Sequence, residues 1–336
     1  MDLPSNLDCG GSKLENREVL IPNDEITESL RGRSFLRLYD FSPQELTRFL
    51  EVAQRLKKAQ KMGQPHGLLA GKSLGMIFRK TSTRTRVSFE VGIYQLGGRG
   101  LYLNSDDIQL GRGESVYDTA MVLSRYLDGI MIRTFEQAEV DTLAQNATIP
   151  VINGLTDFCH PCQVLSDLFT IQEKRGRLQG LKLAYVGDGN NMAHSLMVGC
   201  SKMGVNVSIA YPPGYAPNAE VVEWAKATAQ EHGSLVELTT NPYEGVAGAD
   251  VIYTDVWTSM GQEAEEERRL RDFGKYQVNQ KLVQSAKPDV MVMHCLPANR
   301  GQEITDEVMD GPNSIVFDQA ENRLHAQKAI MALLMG

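Results

Sequence analysis

Cysteine is scarce in this chain, and long apolar runs, low-complexity stretches and internal repeats are missing altogether. Five cysteines in 336 residues are too few, and odd in number, for a disulfide framework, so a reducing compartment, the cytoplasm, is expected. No apolar run approaches the length of a membrane span, which argues against insertion in a bilayer. Basic charge is also short. The formal net charge of −8 speaks against nucleic acid or an anionic membrane as partner, although an acidic protein can still focus positive potential locally. Residues 1–30 carry only Lys13 and Arg17 against seven acidic residues. Signal peptides begin basic and hold an apolar core, and transit peptides avoid acids, so this acidic extension is not expected to be a targeting segment.

The length exceeds what one core usually holds, so two domains with a cleft between them are expected. Hydrophobic residues at 42% and charged ones at 23% match a soluble globular protein. Strand-like runs alternate with helical periodicity along the chain. An amphipathic helix follows Ser42, with Pro43, Leu46, Phe49, Leu50, Ala53 and Leu56 in its pattern. A strand at residues 74–77 leads into a helix on which Val87, Val91 and Tyr94 share a face, closed by Gly97 and Gly98. Residues 101–103 read as a short buried strand, 109–115 as a glycine-rich loop and 117–126 as a helix. Strands at 130–132 and 151–152 come next, then a bridging helix from residue 162 to about 175. A second unit of the same kind has strands at 181–186, 205–210, 251–254 and 290–293, and a closing helix at 321–335 carries Leu324, Ile330 and Leu334. Alternating strands and helices imply parallel sheets, whose ligands collect at the strands' carboxyl ends. Arg84, Arg133 and His160 all fall at such ends.

Residues 78–90, FRKTSTRTRVSFE, stand where the first strand turns into its helix. Ser82 and Thr83 are placed to cap that helix, whose first N–H groups lack internal partners and whose dipole adds positive character at the same end. Lys80, Arg84 and Arg86 lie within seven residues beside these hydroxyls. Cations at a helix start oppose the dipole, so stability gives no reason for them, and a phosphate seat does.

Two other motifs invite chemistry and are set aside. Cys159-His160-Pro161-Cys162 lacks the second ligand pair that zinc needs and the sequence surroundings of a thioredoxin-like site. Gly187-Asp188-Gly189 follows a strand, but Met192 replaces the third glycine of a dinucleotide loop and the next strand ends without an acid.

FRKTSTRTRVSFE closely resembles the carbamoyl-phosphate signature of the aspartate/ornithine carbamoyltransferases. His160-Pro161-Cys162-Gln163, Asp255 with Ser259-Met260-Gly261, and His294-Cys295-Leu296-Pro297 follow in that family's order. The resemblance runs from about Arg31 to the C-terminus, and the variable position of the HPxQ pattern holds cysteine. It implies an α/β fold of two Rossmann-like parallel-sheet domains with an active-site cleft between them. The carbamoyl-phosphate domain would span residues 31–165 and the ornithine domain 166–319, with a C-terminal helix, 320–336, returning to the first.

The resemblance further implies that carbamoyl phosphate is bound by Ser82, Thr83, Arg84, Thr85, Gln109, Arg133, His160, Gln163, Cys295, Leu296 and Arg323. Ornithine falls to Asn191, Asp255, Ser259 and Met260, and catalysis to Arg84, Arg133, His160 and Cys295. Gln109 matches a loop residue that reaches a neighbouring subunit, so a homotrimer with shared active sites is implied. No metal or other cofactor is expected, because guanidinium forks already supply positive charge with bidentate geometry. The implied reaction turns carbamoyl phosphate and ornithine into citrulline and phosphate, a step of arginine biosynthesis. Plain structural alternatives exist for single residues: a core histidine at 160, a strand-end surface charge at Arg133, a helix cap at Gln163. Carbamoyl transfer to putrescine or N-acetylornithine, and an inactive metabolite-binding paralogue, stay open as whole-protein alternatives. Whether Cys295 takes a proton or only orients the amine stays open too.

Overall fold

The computed structural model describes residues 19–261 and 263–336. Helix α1 (Glu25–Leu30) starts on an Asp24 cap and lies against α2 (Pro43–Lys61), where Arg48 grips the Asp24 carboxylate through both terminal nitrogens at 2.7 Å. Leu20, Ile21 and Leu30 are buried in the same core as Leu46, Phe49, Leu50, Ala53 and Leu56 of α2. The last part of the acidic extension is therefore packed on the first domain, while residues 1–18 lie outside the described residues. Helix α2 begins where the sequence places it. Ser42 accepts from the Glu45 N–H at 3.2 Å, and Glu45 accepts from the Ser42 N–H at 2.7 Å, with Pro43 in the first helical position. Ser42→Ala should lower stability by about 1 kcal/mol, read as a lower urea midpoint at unchanged slope.

The first sheet has the order β2-β1-β3-β4 and is parallel throughout: β1 (Ser73–Phe78), β2 (Arg99–Asn104), β3 (Gly129–Arg133) and β4 (Val151–Leu155). Its helices are α3 (Thr83–Gln95), α4 (Val116–Leu123) and α5 (Gln137–Asn146). One sequence expectation needs correction here, and one helix face turns outward. Val87, Val91 and Tyr94 share a face of α3 that is open, at 51%, 37% and 77% exposure, while the helix buries Thr85, Phe89, Gly92 and Ile93. Strand β2 is not buried either, because it is the sheet edge, with Leu101 and Tyr102 both open to solvent.

Helix α6 (Pro161–Arg175) crosses to the second unit and is buried from Pro161 to Ile171. The second sheet, order β7-β6-β5-β8-β9, is also parallel, with β5 (Lys182–Val186), β6 (Asn206–Ala210), β7 (Val236–Thr239), β8 (Val251–Thr254) and β9 (Met291–His294). Its helices are α7 (Asn191–Lys202), α8 (Ala219–Glu231), α9 (Pro242–Val246), α10 (Glu266–Phe273), α11 (Gln280–Val283) and α12 (Asp306–Met309). Strand β7 was not expected from sequence.

The last helix, α13 (Val316–Met335), starts five residues before the expected position and packs on α2, α3 and α6 of the first domain. It is buried on nearly every side from Asn322 to Met335, as befits a helix with neighbours all round. Gly92 permits its approach, since a Cβ there would sit 3.0 Å from Met331 Cε and 3.3 Å from Lys328 Cγ. Among the described residues no helix is long and apolar enough to cross a membrane.

Candidate active site

Parallel strands deliver their loops to one edge, and here the carboxyl ends of both sheets open on a single cleft of about 1140 Å³. Ser82, Thr83, Arg84, Arg133, His160, Gln163 and Arg323 line it from the first domain and α13. Asn191, Asp255, Ser259, Met260, Cys295 and Leu296 line it from the second domain. Thus the expected site residues meet, apart from two. Thr85 is fully buried behind the lining, where its hydroxyl oxygen accepts from Arg323 Nη2 at 2.9 Å and from Ser82 Oγ at 3.0 Å. Gln109 is exposed on a turn before α4 and does not line the cleft of its own chain.

At the first-domain end, positive charge is crowded. Burial pushes the Arg133 guanidinium down to about 10, and Arg323 and Arg84 add to the shift. Arg323 is lowered too, again by burial first, with Arg84 contributing. Lys80 and Arg86 are already engaged: Lys80 pairs with Asp157 and lies 4.3 Å from the Phe135 ring centre, and Arg86 sits 3.8 Å over Tyr102 and 3.5 Å from Glu90. Arg84 has no carboxylate partner among the described residues. Of the three cations singled out in the sequence, it alone keeps its charge for a ligand.

His160 is held far below the usual imidazole range by burial and then by Arg323 and Arg133, so the ring is neutral. Its backbone N–H donates to Ser195 Oγ at 2.8 Å, which fixes the start of α6. His160 Nδ1, Arg133 Nε, Arg323 Nε and Gln163 Oε1 are buried without a protein partner. Orphaned polar atoms are rare in folded proteins, and four in the lining of one cleft point to a polar ligand.

At the second-domain end the sign reverses. Asp255 is almost buried and accepts from Cys295 Sγ at 2.9 Å, from its neighbour's Val256 N–H at 2.8 Å and from Asn190 Nδ2 at 3.4 Å. Burial and the Asp255 charge raise the Cys295 thiol well above its ordinary value, so it is a protonated donor to that carboxylate. Asn191 donates one amide hydrogen to the Thr156 carbonyl at 2.7 Å and has a second. Leu296 adopts φ +59, in the left-handed region, before a cis bond to Pro297. Its N–H donates to His294 Nδ1 at 2.9 Å, and His294 Nε2 meets Glu303 at 3.0 Å. That turn is thus pinned beside the cleft.

Asp255, His294 and Cys295 bring ligand atoms within 4.8 Å of one another. Both His294 ring nitrogens are committed, however, which leaves two donors and a poor fit to a metal ion. Sequence reasoning missed Asp188 and Arg269, which also line the cleft. Arg269 Nη1 reaches Asp188 Oδ2 at 2.7 Å and the Trp257 carbonyl at 2.9 Å, tying α10 to the β5–α7 loop behind residues 256–261. Asp188 carried a signal, its place at a strand's carboxyl end; Arg269, inside a charged helical run, carried none.

Two family profiles match the chain. The aspartate/ornithine carbamoyltransferase carbamoyl-P binding domain covers residues 33–173, and the Asp/Orn binding domain covers 179–334. The chain belongs to the aspartate/ornithine carbamoyltransferase family. Within it, the chain is 61% identical over 308 residues to the ornithine carbamoyltransferase of Thermococcus kodakarensis, covering 92% of this chain and 98% of that one. The anabolic ornithine carbamoyltransferase of Pyrococcus furiosus is 58% identical at 92% and 98% coverage. A solved structure of the Pyrococcus furiosus ornithine carbamoyltransferase superposes with a TM-score of 0.89, at 58% identity and 91% and 98% coverage. The enzyme of Gloeobacter violaceus gives 0.82 at 50% identity, with 91% and 100% coverage.

Proposed function

We propose that this chain transfers the carbamoyl group of carbamoyl phosphate to the side-chain amine of ornithine, giving citrulline and phosphate in the biosynthetic direction. The observation that carries the reading is the polarity of the cleft: unpaired guanidinium charge at one end, a buried carboxylate at the other, and neutral His160 and Cys295 in the lining between them. The phosphate goes to the α3 N-terminus, Ser82, Thr83 and Arg84. Arg133 and His160 donate to the carbamoyl oxygen, where negative charge grows as the amine adds. Gln163 and Leu296 meet the carbamoyl amide. Asp255 pairs with the ornithine α-ammonium and Asn191 with its α-carboxylate, and residues 259–261 cover the ligand. An alkyl ammonium has a pKa of roughly 10.4, so the distal amine must shed a proton before attack. The new C–N bond forms, the C–O bond to phosphate breaks, phosphate leaves with the electron pair, and the proton released by the attacking nitrogen goes to the departing phosphate. Citrulline formation from both substrates, set against putrescine and N-acetylornithine as acceptors, tests this directly. No citrulline, or a better rate with either competitor, rejects it.

The assembly we propose is a homotrimer, in a reducing compartment such as the cytoplasm that suits the free thiols of Cys159, Cys162, Cys200 and Cys295. Val87, Val91 and Tyr94 of α3 lie open with Leu101 and Tyr102 of the β2 edge, an apolar surface that a second copy would cover. Gln109, away from its own cleft, would complete a neighbour's. Mixing Gln109→Ala with Arg84→Ala subunits should then restore up to about a quarter of the sites in a cyclic assembly. Hybrids with no recovered activity count against the shared site.

A further inference from the structure

Gln163 has one end tied and one end open. Its Nε2 donates to Asp167 Oδ1 at 2.8 Å, one turn along α6, while its Oε1 is buried without a protein partner. Gln319 of α13 donates to the same Oδ1 at 2.8 Å and accepts the His294 N–H at 2.9 Å. Gln163, Asp167 and Gln319 are at most 1% exposed, so solvent does not compete for these bonds.

A side-chain amide has a donor end and an acceptor end of nearly the same shape, and half a turn exchanges them. A carboxylate oxygen only accepts. Because Asp167 Oδ1 receives two N–H groups, it admits one orientation of Gln163, the one that turns the carbonyl oxygen away toward the cleft. From this geometry we infer that Asp167 is a specificity-determining positioning residue: it fixes Gln163 with an acceptor facing the amino group of a carbamoyl donor. The inference rests on the proposed use of carbamoyl phosphate. A carbamoyl –NH2 matches that acceptor, whereas the methyl group of acetyl phosphate leaves it unpaired. Burial pushes the Asp167 carboxyl up to about 7 against its bonds to Gln163, Gln319 and Tyr253. A proton on Oδ2 leaves Oδ1 an acceptor, so the orientation holds on both sides of neutral pH.

The test is discrimination among three anions, with carbamoyl phosphate, acetyl phosphate and inorganic phosphate titrated calorimetrically into the full-length protein. Asp167→Leu, which removes the acceptor, should weaken carbamoyl phosphate roughly ten- to a hundredfold, while the other two change less than about twofold. Asp167→Asn should keep the wild-type preference, since its carbonyl can accept both amide donors. In a Gln163→Met background, Asp167→Leu should leave the preference where Gln163→Met alone puts it, because the effect passes through Gln163. Asp167→Ala, which removes the acceptor without adding bulk, replaces the leucine variant if that one fails to fold, with the same loss expected. An equal loss for all three anions would mark Asp167 as merely structural. Additive effects in the Gln163→Met background, or loss of the preference in Asp167→Asn, also overturn the inference. Failure of the underlying reading shows separately, as wild-type protein that forms no citrulline.

Discussion

Arg84→Ala should cost the protein its carbamoyl-phosphate binding along with its turnover. The guanidinium meets the phosphate in the ground state and in the transition state alike, so both Kd and kcat/KM suffer. Loss of a charge-assisted, bidentate partner is worth about 2 to 5 kcal/mol, or roughly thirty- to several thousandfold in Kd. Neighbouring cations supply the comparison. Arg86 is already paired with Glu90 and stacked on Tyr102 at the exposed start of α3, so Arg86→Ala should cost much less, within about 1 kcal/mol. Calorimetry with carbamoyl phosphate alone separates the two variants. Near-normal binding by Arg84→Ala, or equal losses in both, removes Arg84 from the phosphate seat.

Strand ends were the most legible feature of the sequence, because short apolar runs bounded by glycine or polar residues leave few places for a sheet to stop. Arg133, at the end of β3, was placed at the cleft that way, whereas Asp255 and Cys295, just past β8 and β9, were singled out by the motif resemblance. Helix faces were less legible. On α3 the core side is built from Thr85, Phe89, Gly92 and Ile93, two of which carry no apolar signal, and at Gly92 α13 packs so closely that a Cβ would press on Met331 and Lys328. The visibly apolar side, Val87, Val91 and Tyr94, is open in the single chain. Hydrophobic period alone cannot tell a face that packs inside a subunit from one available to a second copy. Strand β7 was missed since Val236–Thr239 is half polar and lies at a sheet edge. Motif resemblance gathered the cleft residues well but was silent on what holds them: Asp167 behind Gln163, Glu303 behind His294, Arg269 behind the 256–261 loop. Some of those contacts are distant in the chain, Arg269 to Asp188 and Gln319 to Asp167, while Asp167 is one turn from Gln163 and Glu303 nine residues from His294, spacings that do not by themselves announce a contact.

Asp255→Asn should damage ornithine turnover while sparing N-acetylornithine, and so narrow the gap between the two acceptors. In the wild-type protein the α-ammonium of ornithine finds a nearly buried carboxylate, and the acetylated amine leaves that carboxylate unmatched, at about 1 to 3 kcal/mol or more. Removing the charge takes away ornithine's advantage at about 2 to 5 kcal/mol in kcat/KM, whereas the neutral amide of N-acetylornithine never used it. Putrescine, which lacks the α-carboxylate, should stay poor in both proteins. The same site sets the pH profile. Wild-type kcat/KM for ornithine should rise with pH toward the substrate amine's value of roughly 10.4. That limb should survive in Cys295→Ser, because burial and Asp255 hold the thiol well above its ordinary range and the limb belongs to the substrate. Measuring kcat/KM for the three acceptors from neutral to alkaline pH in wild type, Asp255→Asn and Cys295→Ser decides both points. Unchanged ornithine kinetics in Asp255→Asn would remove the α-ammonium contact, and a flat alkaline profile in Cys295→Ser would make the thiolate the base.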